Sequence, residues 1–267
     1  MIRAVMIAVL LSAPAAAQDR IPSHCIALAE AAAPVVPVAF GDPLAANRVR
    51  LRYIDHATFL VETPGGLVAA TDYTGFLGVT DLVPDVVTMN NAHGTHWTAT
   101  PDPAIPHVLR GWADAAGPAE HRLDLGEMLV RNVTTDVRSR FGDDSRGDGN
   151  SIFIFEVAGL CIGHLGHLHH VPDDAQFASI GRLDVVMVPV DGGYTMNAAD
   201  MASVVRRLRS SIVVPMHWFS GASLEVFLAE MAGEFEVVRP EISEIELSLD
   251  DLPGRPTILV LEPDYLQ

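Results

Sequence analysis

Seven of the eleven histidines lie in three short segments, each at the end of an apolar run typical of a β-strand. The segments are residues 91–96 with His93 and His96, residues 163–170 with His164, His167, His169 and His170, and residues 213–218 with His217. Neutral imidazole is the commonest protein ligand for zinc and its neighbours. Strand ends are places where a rigid sheet can direct side chains from distant parts of a chain toward one point. The histidine pattern therefore predicts a metal centre.

The elements that must position these histidines follow from the hydrophobic periodicity. The pattern predicts strands at residues 49–54, 58–62, 67–72, 85–89, 127–136, 151–162, 183–190, 211–216, 235–238 and 257–261. It predicts helices at residues 24–33, 197–209 and 222–233, irregular helical stretches over 102–116, and a polar loop over 141–150. Strands mixed with helices at intervals indicate an α/β (mixed α+β) fold, an αββα sandwich formed by one domain over residues 48–267.

The first residues resemble a secretory signal peptide. Arg3 gives a positive start, an apolar run follows, and Ala15-Ala16-Ala17 offers a small-residue cleavage site before Gln18. Residues 1–17 are therefore predicted to be a signal peptide, and residues 18–47 an N-terminal helix and proline-rich linker. The expected location is periplasmic or secreted.

The charge balance limits the classes of partner. The formal net charge is −17, which disfavours phosphate backbones and anionic membrane surfaces. We expect a small-molecule substrate, with neither nucleic acid nor membrane as a partner. The oligomeric state is left open.

The chain has two cysteines, Cys25 and Cys161. In an oxidising compartment they could form one disulfide. Cys161 lies in an apolar strand, however, where a buried free thiol is equally ordinary. The sequence leaves both alternatives open.

The order of several motifs resembles the metallo-β-lactamase superfamily, and within it the branch of ascorbate-6-phosphate lactonase and related zinc-dependent hydrolases. The resemblance covers roughly residues 48–220. Five segments show it: residues 55–62, 91–96, 164–170, 189–195 and 215–217. The first of them is similar to the Gly-His-Ala opening strand of that branch. The family motif His-x-His-x-Asp-His reads Asn91-x-His93-x-Thr95-His96 in this chain. The carboxylate that usually bridges two metals aligns with His167, and the histidine expected near residues 138–144 is not evident.

These departures favour one metal ion over two. Asn91 offers a neutral oxygen, Thr95 is a poor ligand, and an imidazole such as His167 cannot bridge two cations as a carboxylate does. The expected site is mononuclear and holds one zinc ion per chain, with another divalent metal as the alternative. Its predicted ligands are His93, His96, His167 and His217, with His170 as a substitute for one of them. Three histidines would leave a catalytic position open, whereas four would make a closed structural site.

Other polar residues near these segments are candidates for supporting roles. Asp191 could act as a metal-site carboxylate or general base, or it could cap the turn before Gly192-Gly193. His170 is the other candidate for moving protons. The predicted residues around the metal or lining the cleft are His56, Asp72, Asn91, His164 and His169. Trp97, Trp218 and Phe219 could supply an apolar wall.

The resemblance implies an exported metal-dependent hydrolase that acts on a small lactone, ester or phosphoester through metal-activated water. The alternative is a protein that keeps the fold and binds a metal or ligand without catalysis, because several usual ligand positions are changed. An oxygen-using iron site is a third possibility, which would need Asp191 as a true ligand.

Overall fold

The computed structural model describes residues 43–138 and 145–267. The predicted signal peptide, the predicted helix at residues 24–33 and Cys25 lie outside the described residues. Within them no helix is long and apolar enough to cross a membrane. Cys161 is buried and disulfide-bonded, so the described part of the chain holds no free thiol.

Two sheets form the frame of the molecule. The strands of the first sheet are β1 (Val49–Asp55), β2 (Thr58–Glu62), β3 (Val68–Ala70), β4 (Val86–Met89), β5 (His107–Arg110) and β13 (Glu244–Leu247). Those of the second are β6 (Arg122–Asp124), β7 (Met128–Arg138), β8 (Ser145–Val157), β9 (Leu160–His164), β10 (Val185–Pro189), β11 (Ile212–Met216), β12 (Glu236–Val238) and β14 (Thr257–Leu259). The first, six-stranded sheet has the order β13-β1-β2-β3-β4-β5, and the second, eight-stranded sheet has the order β12-β14-β11-β10-β9-β8-β7-β6.

The main core lies between the two sheets, because alternate residues of their strands point toward each other. Leu51 and Phe59 of the first sheet join Phe155 and Met187 of the second in this core. A second core lies on the outer face of the eight-stranded sheet, beneath α1 (Asp174–Ile180), α2 (Ala198–Leu208) and α3 (Gly221–Glu230). The predicted mixed α/β sandwich is confirmed.

The outer face of the six-stranded sheet is covered differently. A third cluster there includes Leu60 and Met89 of the sheet, with Tyr73, Leu77 and Leu266 from chain that is neither helix nor strand. The expected helical layer on this face is therefore not found within the described ranges. Extended chain can bury an apolar face as well as a helix can, provided that its backbone groups find partners.

Several local predictions are wrong in instructive ways. The expected helical stretches over residues 102–116 are turns and the edge strand β5, and residues 145–150 of the predicted loop continue β8. The predicted strand over residues 151–162 is two strands, because Ala158 and Gly159 both have positive φ and make a tight turn. Propensity could not reveal β5 or β13, since each is a short strand held by pairing with a sequence-distant neighbour.

Candidate metal centre

The strand directions bring the predicted residues to one edge of the sandwich. β1 and β3 are both antiparallel to β2, so they run the same way, and β4 is parallel to β3. In the other sheet β9, β10 and β11 are parallel. The candidate residues follow the carboxyl ends of these strands: His56 after β1, Asp72 after β3, His93 and His96 after β4, residues 164–170 at the end of β9, Asp191 after β10 and His217 after β11. Such edges are the usual position of ligand sites in sheets of this kind.

Three histidines converge at this edge. One ring nitrogen from each of His56, His96 and His217 lies within 4.8 Å of those of the other two. His96 and His217 are buried and His56 is half-buried. His96 and His217 belong to the ligand set predicted from the sequence, whereas His56 was expected only to line the cleft. The described residues thus form a possible three-histidine metal site.

Backbone conformation at the site is unusual. His56, Asp72 and His217 have φ values of 44°, 42° and 60°, in the left-handed region that non-glycine residues rarely adopt. The His217 N–H donates to the His56 carbonyl at 2.8 Å, and the Tyr53 hydroxyl donates to the same oxygen. Strain of this kind is characteristic of functional sites, where surrounding contacts hold it in place.

Two buried carboxylates each lie next to the Nδ1 atom of one of these rings. Asp72 Oδ2 lies 2.5 Å from His96 Nδ1, and Asp72 Oδ1 accepts the Asn90 N–H. Asp191 Oδ2 lies 2.9 Å from His217 Nδ1, and the His217 ring lowers the pKa of this carboxyl. A carboxylate at Nδ1 places the ring proton there, which leaves Nε2 as a lone-pair ligand.

The two Nε2 atoms face each other. His96 Nε2 and His217 Nε2 are 3.1 Å apart. When both carboxylates are ionised, neither Nε2 carries a proton, so two lone pairs meet without a hydrogen between them. A cation between them would relieve that repulsion, and ligands about 2.0–2.1 Å from one zinc ion lie about 3.3 Å apart in a tetrahedron. The buried Nε2 of His56 also has no hydrogen-bond partner among the described residues. The residues present therefore fit a divalent metal ion.

Burial sets the charge state of the cluster. Burial, reinforced by the neighbouring His217 and His96, lowers the pKa of His56 to about 3, and it lowers the pKa of His96 well below its usual value. Burial raises the pKa of Asp72 to about 7. The rings of His56 and His96 are thus held in the neutral form that binds metals.

Asp191 is occupied by its own loop as well as by His217. Burial alone would raise its pKa, but the His217 ring and donors from Thr195 and Gly193 lower it below the ordinary value. Its Oδ1 accepts the backbone N–H groups of Gly193, Tyr194 and Thr195, and its Oδ2 accepts the Thr195 hydroxyl. The carboxylate therefore both caps the turn and orients His217. Its predicted role as a general base stays a prediction.

The other histidines of the prediction surround the cluster at different depths. The His167 ring centroid lies 4.5 Å from that of His96 and 5.3 Å from that of His217, and exposed His93 stacks on His167 at 5.3 Å. Their roles as ligands are not decided by this arrangement and stay predictions. His170 is exposed and its ring contacts His169 at 6.4 Å, farther from the three histidines.

His169 is next to the cluster and has a defined proton position. Its Nδ1 accepts the Arg138 N–H at 2.7 Å, so a neutral ring carries its hydrogen on Nε2. That Nε2 is buried, a hydrogen bond with the Tyr194 backbone favours the protonated ring, and the ring lies 4.7 Å from that of His167. Burial, reinforced by Arg138, lowers the pKa of His169 to about 4. His169 therefore adjoins the cluster as a neutral ring with its hydrogen on Nε2.

His164 and Asn91 are both buried and bonded to other protein groups. His164 Nε2 donates to the Ala57 carbonyl at 2.8 Å, while its Nδ1 accepts from Asn90 and Gly166. Both ring nitrogens are thus satisfied by protein. Gly166 has a φ of 61°, and an added Cβ there would lie 2.3 Å from the Asn90 side chain. Asn91 is buried and forms a backbone bridge to Asn150.

Only one residue of the predicted apolar wall faces solvent. Trp97 packs beside the third core and Trp218 between the first two, so both serve the interior. Phe219 is 64% exposed, and its ring lies 5.1 Å from the His56 ring.

The two-sheet sandwich is a fold that known proteins share. The chain matches the beta-lactamase superfamily domain over residues 50–217, and it belongs to that family. Its architecture is the metallo-β-lactamase fold, as predicted. The proposed kinship with the ascorbate-6-phosphate lactonase branch stays a prediction.

Relatives and solved structures support this assignment. A protein of Polaromonas named a UPF0173 metal-dependent hydrolase is 25% identical over 237 residues, covering 72% of this chain and 85% of the relative. A Methanospirillum hungatei protein of the same name is 23% identical over 235 residues, covering 80% and 96%. A Thermotoga maritima structure, solved as a candidate Zn-dependent hydrolase of the metallo-β-lactamase superfamily, is 25% identical with a TM-score of 0.56, covering 80% of this chain and 98% of that one.

Proposed function

We propose that this protein is a metal-dependent hydrolase whose single ion, zinc, is held by His56, His96 and His217. The observation that carries the proposal is the convergence of three ring nitrogens within 4.8 Å, two of them on rings backed by buried carboxylates. Three nitrogen ligands with an open fourth position are the pattern of a catalytic zinc site. The names of the relatives as metal-dependent hydrolases support the same reading.

The contacts of the residues around the three histidines indicate a role for each of them. A divalent ion in such a site supplies Lewis-acid activation of water and of a carbonyl or phosphoryl oxygen. Asp72 and Asp191 hold the rings of His96 and His217 in the ligand tautomer. His169, whose hydrogen lies on Nε2 beside the cluster, is the proposed donor of a hydrogen bond to a substrate oxygen, and His170 lies beside it at the surface.

The proposed substrate is a small ester or lactone, and a small phosphoester is the alternative. Hydrolysis adds one water molecule: its oxygen bonds to the acyl carbon, the carbon–oxygen bond to the alcohol breaks, and the two protons end on the acid and the alcohol. We assign Asp191 a positioning role through His217, because its oxygens already accept four hydrogen bonds from the loop.

The test is a substrate panel run on zinc-loaded and chelator-treated full-length protein. We expect hydrolysis of at least one lactone, ester or phosphoester, lost on metal removal and restored by one equivalent of zinc. His107→Ala, in the edge strand β5, is the matched control and should retain the activity. Metal-replete protein that binds one ion yet hydrolyses no member of the panel would instead support the non-catalytic binding protein.

We also propose that the protein is exported, on the signal-like pattern of residues 1–17. Expression of the full-length gene product in a Gram-negative host should give a mature protein beginning at or near Gln18 in the periplasmic fraction or the medium. Intact-mass measurement checks the cleavage. Recovery of a chain that starts at Met1 from the cytosol would contradict export, and an Arg3→Glu variant should slow the processing.

A further inference from the structure

Exposed aromatic rings adjoin the three-histidine cluster. Among the described residues, four aromatic residues are large and exposed, and they form two pairs: Tyr194 with Phe219, and Phe76 with Tyr265. The Phe219 ring lies 5.1 Å from the His56 ring and 5.4 Å from the His217 ring. Single exposed apolar residues need no explanation, but an exposed pair that contacts a candidate metal centre indicates a binding surface.

The two rings of this pair make a corner. Tyr194 is 70% exposed, and its ring lies 5.5 Å from that of Phe219 at an interplanar angle of 75°. Two nearly perpendicular aromatic surfaces can contact both the face and the edge of a third flat ring, which is the preferred geometry of aromatic clusters. The corner therefore suits a planar apolar group.

The loop that carries Tyr194 is fixed from both sides. The Asp191 carboxylate accepts the N–H groups of Gly193, Tyr194 and Thr195. The Arg138 guanidinium donates to the carbonyl oxygens of the same three residues, at 3.0, 3.0 and 2.5 Å. A loop held this way presents its exposed ring without ordering cost when a ligand binds.

The two charged side chains that hold this loop are already engaged. The Asp191 side chain is fully buried, and the Arg138 guanidinium is directed to three carbonyl oxygens. Neither of these side chains is thus directed toward a ligand at the corner, whereas an uncharged flat group bound there would remove apolar surface from water.

We propose that Tyr194 and Phe219 form a specificity subsite that binds an uncharged planar ring of the substrate beside the three histidines. This inference rests on the proposed function, and it names the substrate class as esters or lactones that carry an aromatic or similarly flat apolar group.

The test compares benzyl acetate with ethyl acetate, two esters that share an acyl group and an alkoxide leaving group. In zinc-loaded full-length protein, Phe219→Ala should raise KM for benzyl acetate about tenfold and change KM for ethyl acetate less than about twofold, as expected for loss of one aromatic contact. Phe219→Tyr keeps the ring and should restore the preference. Val226→Ala removes an exposed apolar side chain of α3 and serves as the matched control.

A second readout does not depend on turnover. Benzyl alcohol should bind metal-free protein at Tyr194 and Phe219, detected by saturation-transfer NMR, and Phe219→Ala should lose that signal while Val226→Ala keeps it. Equal KM increases for both esters, or benzyl alcohol binding that survives Phe219→Ala, would overturn the subsite. If no ester is hydrolysed but the NMR signal depends on Phe219, the hydrolase proposal fails and the aromatic subsite stands.

Discussion

Protein purified without added metal will contain about one divalent ion per chain, and His56→Ala or His217→Ala will lose it. The three ring nitrogens within 4.8 Å of one another are the physical reason, since removing one leaves two ligands for the ion. Loss of an outer partner typically costs 10–100-fold in affinity, so loss of a ligand should cost more than about 100-fold. Elemental analysis gives the metal-to-chain ratio, and chelator competition gives the affinity.

The same variants should lose the stabilisation that the metal gives to the folded state. An ion present at about 100 times its Kd contributes about 2.7 kcal/mol to the free energy of unfolding. Added zinc should therefore raise the Tm of the unaltered protein and leave that of His217→Ala nearly unchanged, with His107→Ala behaving as unaltered.

Two outcomes would contradict a single ion held by these three histidines. Two tightly held equivalents would contradict the mononuclear site. An ion retained by His56→Ala but lost by His93→Ala and His167→Ala would favour the ligand set predicted from sequence over the set that the structure brings together.

Replacing either buried carboxylate by its amide will weaken metal binding by roughly 10–100-fold, although the shape of the side chain is kept. In Asp72→Asn the amide N–H₂ faces His96 Nδ1 in place of an acceptor. That favours the tautomer with the ring proton on Nε2, the atom that faces His217 and would ligate the metal. Asp191→Asn should act in the same way on His217. Chelator competition measures the affinity, and ¹⁵N NMR of the imidazoles reports the tautomer.

Asp184→Asn is the control for this pair. Asp184 is another buried carboxylate, which accepts the Cys161 N–H at the start of β10, away from the histidines. Its amide variant should bind metal as the unaltered protein does. At saturating zinc, turnover of Asp191→Asn should return to within about threefold of the unaltered enzyme if Asp191 acts only through His217. A remaining loss of two to four orders of magnitude would instead show a general base.

Much of the fold was predictable because its strands and helices have clear periodicity. The β-strand and helix pattern after residue 183 was close to the structure, including α2, which ends where three arginines suit the negative end of the helix dipole. The expectation that histidines at strand ends would gather also had a physical basis, since parallel neighbours such as β9, β10 and β11 end at one edge.

The roles of individual histidines were less predictable. Nothing in the sequence separates His164, whose two nitrogens are satisfied by Ala57, Asn90 and Gly166, from His169, whose ring meets the backbone of Arg138 and adjoins His167. That difference arises from groups as far as 107 residues away in the chain, and only packing decides which of them a ring meets.

The sequence by itself determined the class of fold, the edge at which polar residues gather and the nitrogen-rich chemistry of the site, because these depend on local periodicity and residue type. Only the tertiary structure decided that His56 joins His96 and His217, that Asp72 and Asp191 stand behind two of the rings, and that Phe219 and Tyr194 border them. The physical reason is that His56 reaches the cluster through a left-handed backbone conformation, held by a hydrogen bond to His217 across the two sheets. Long-range pairing of this kind leaves no periodic trace in the sequence.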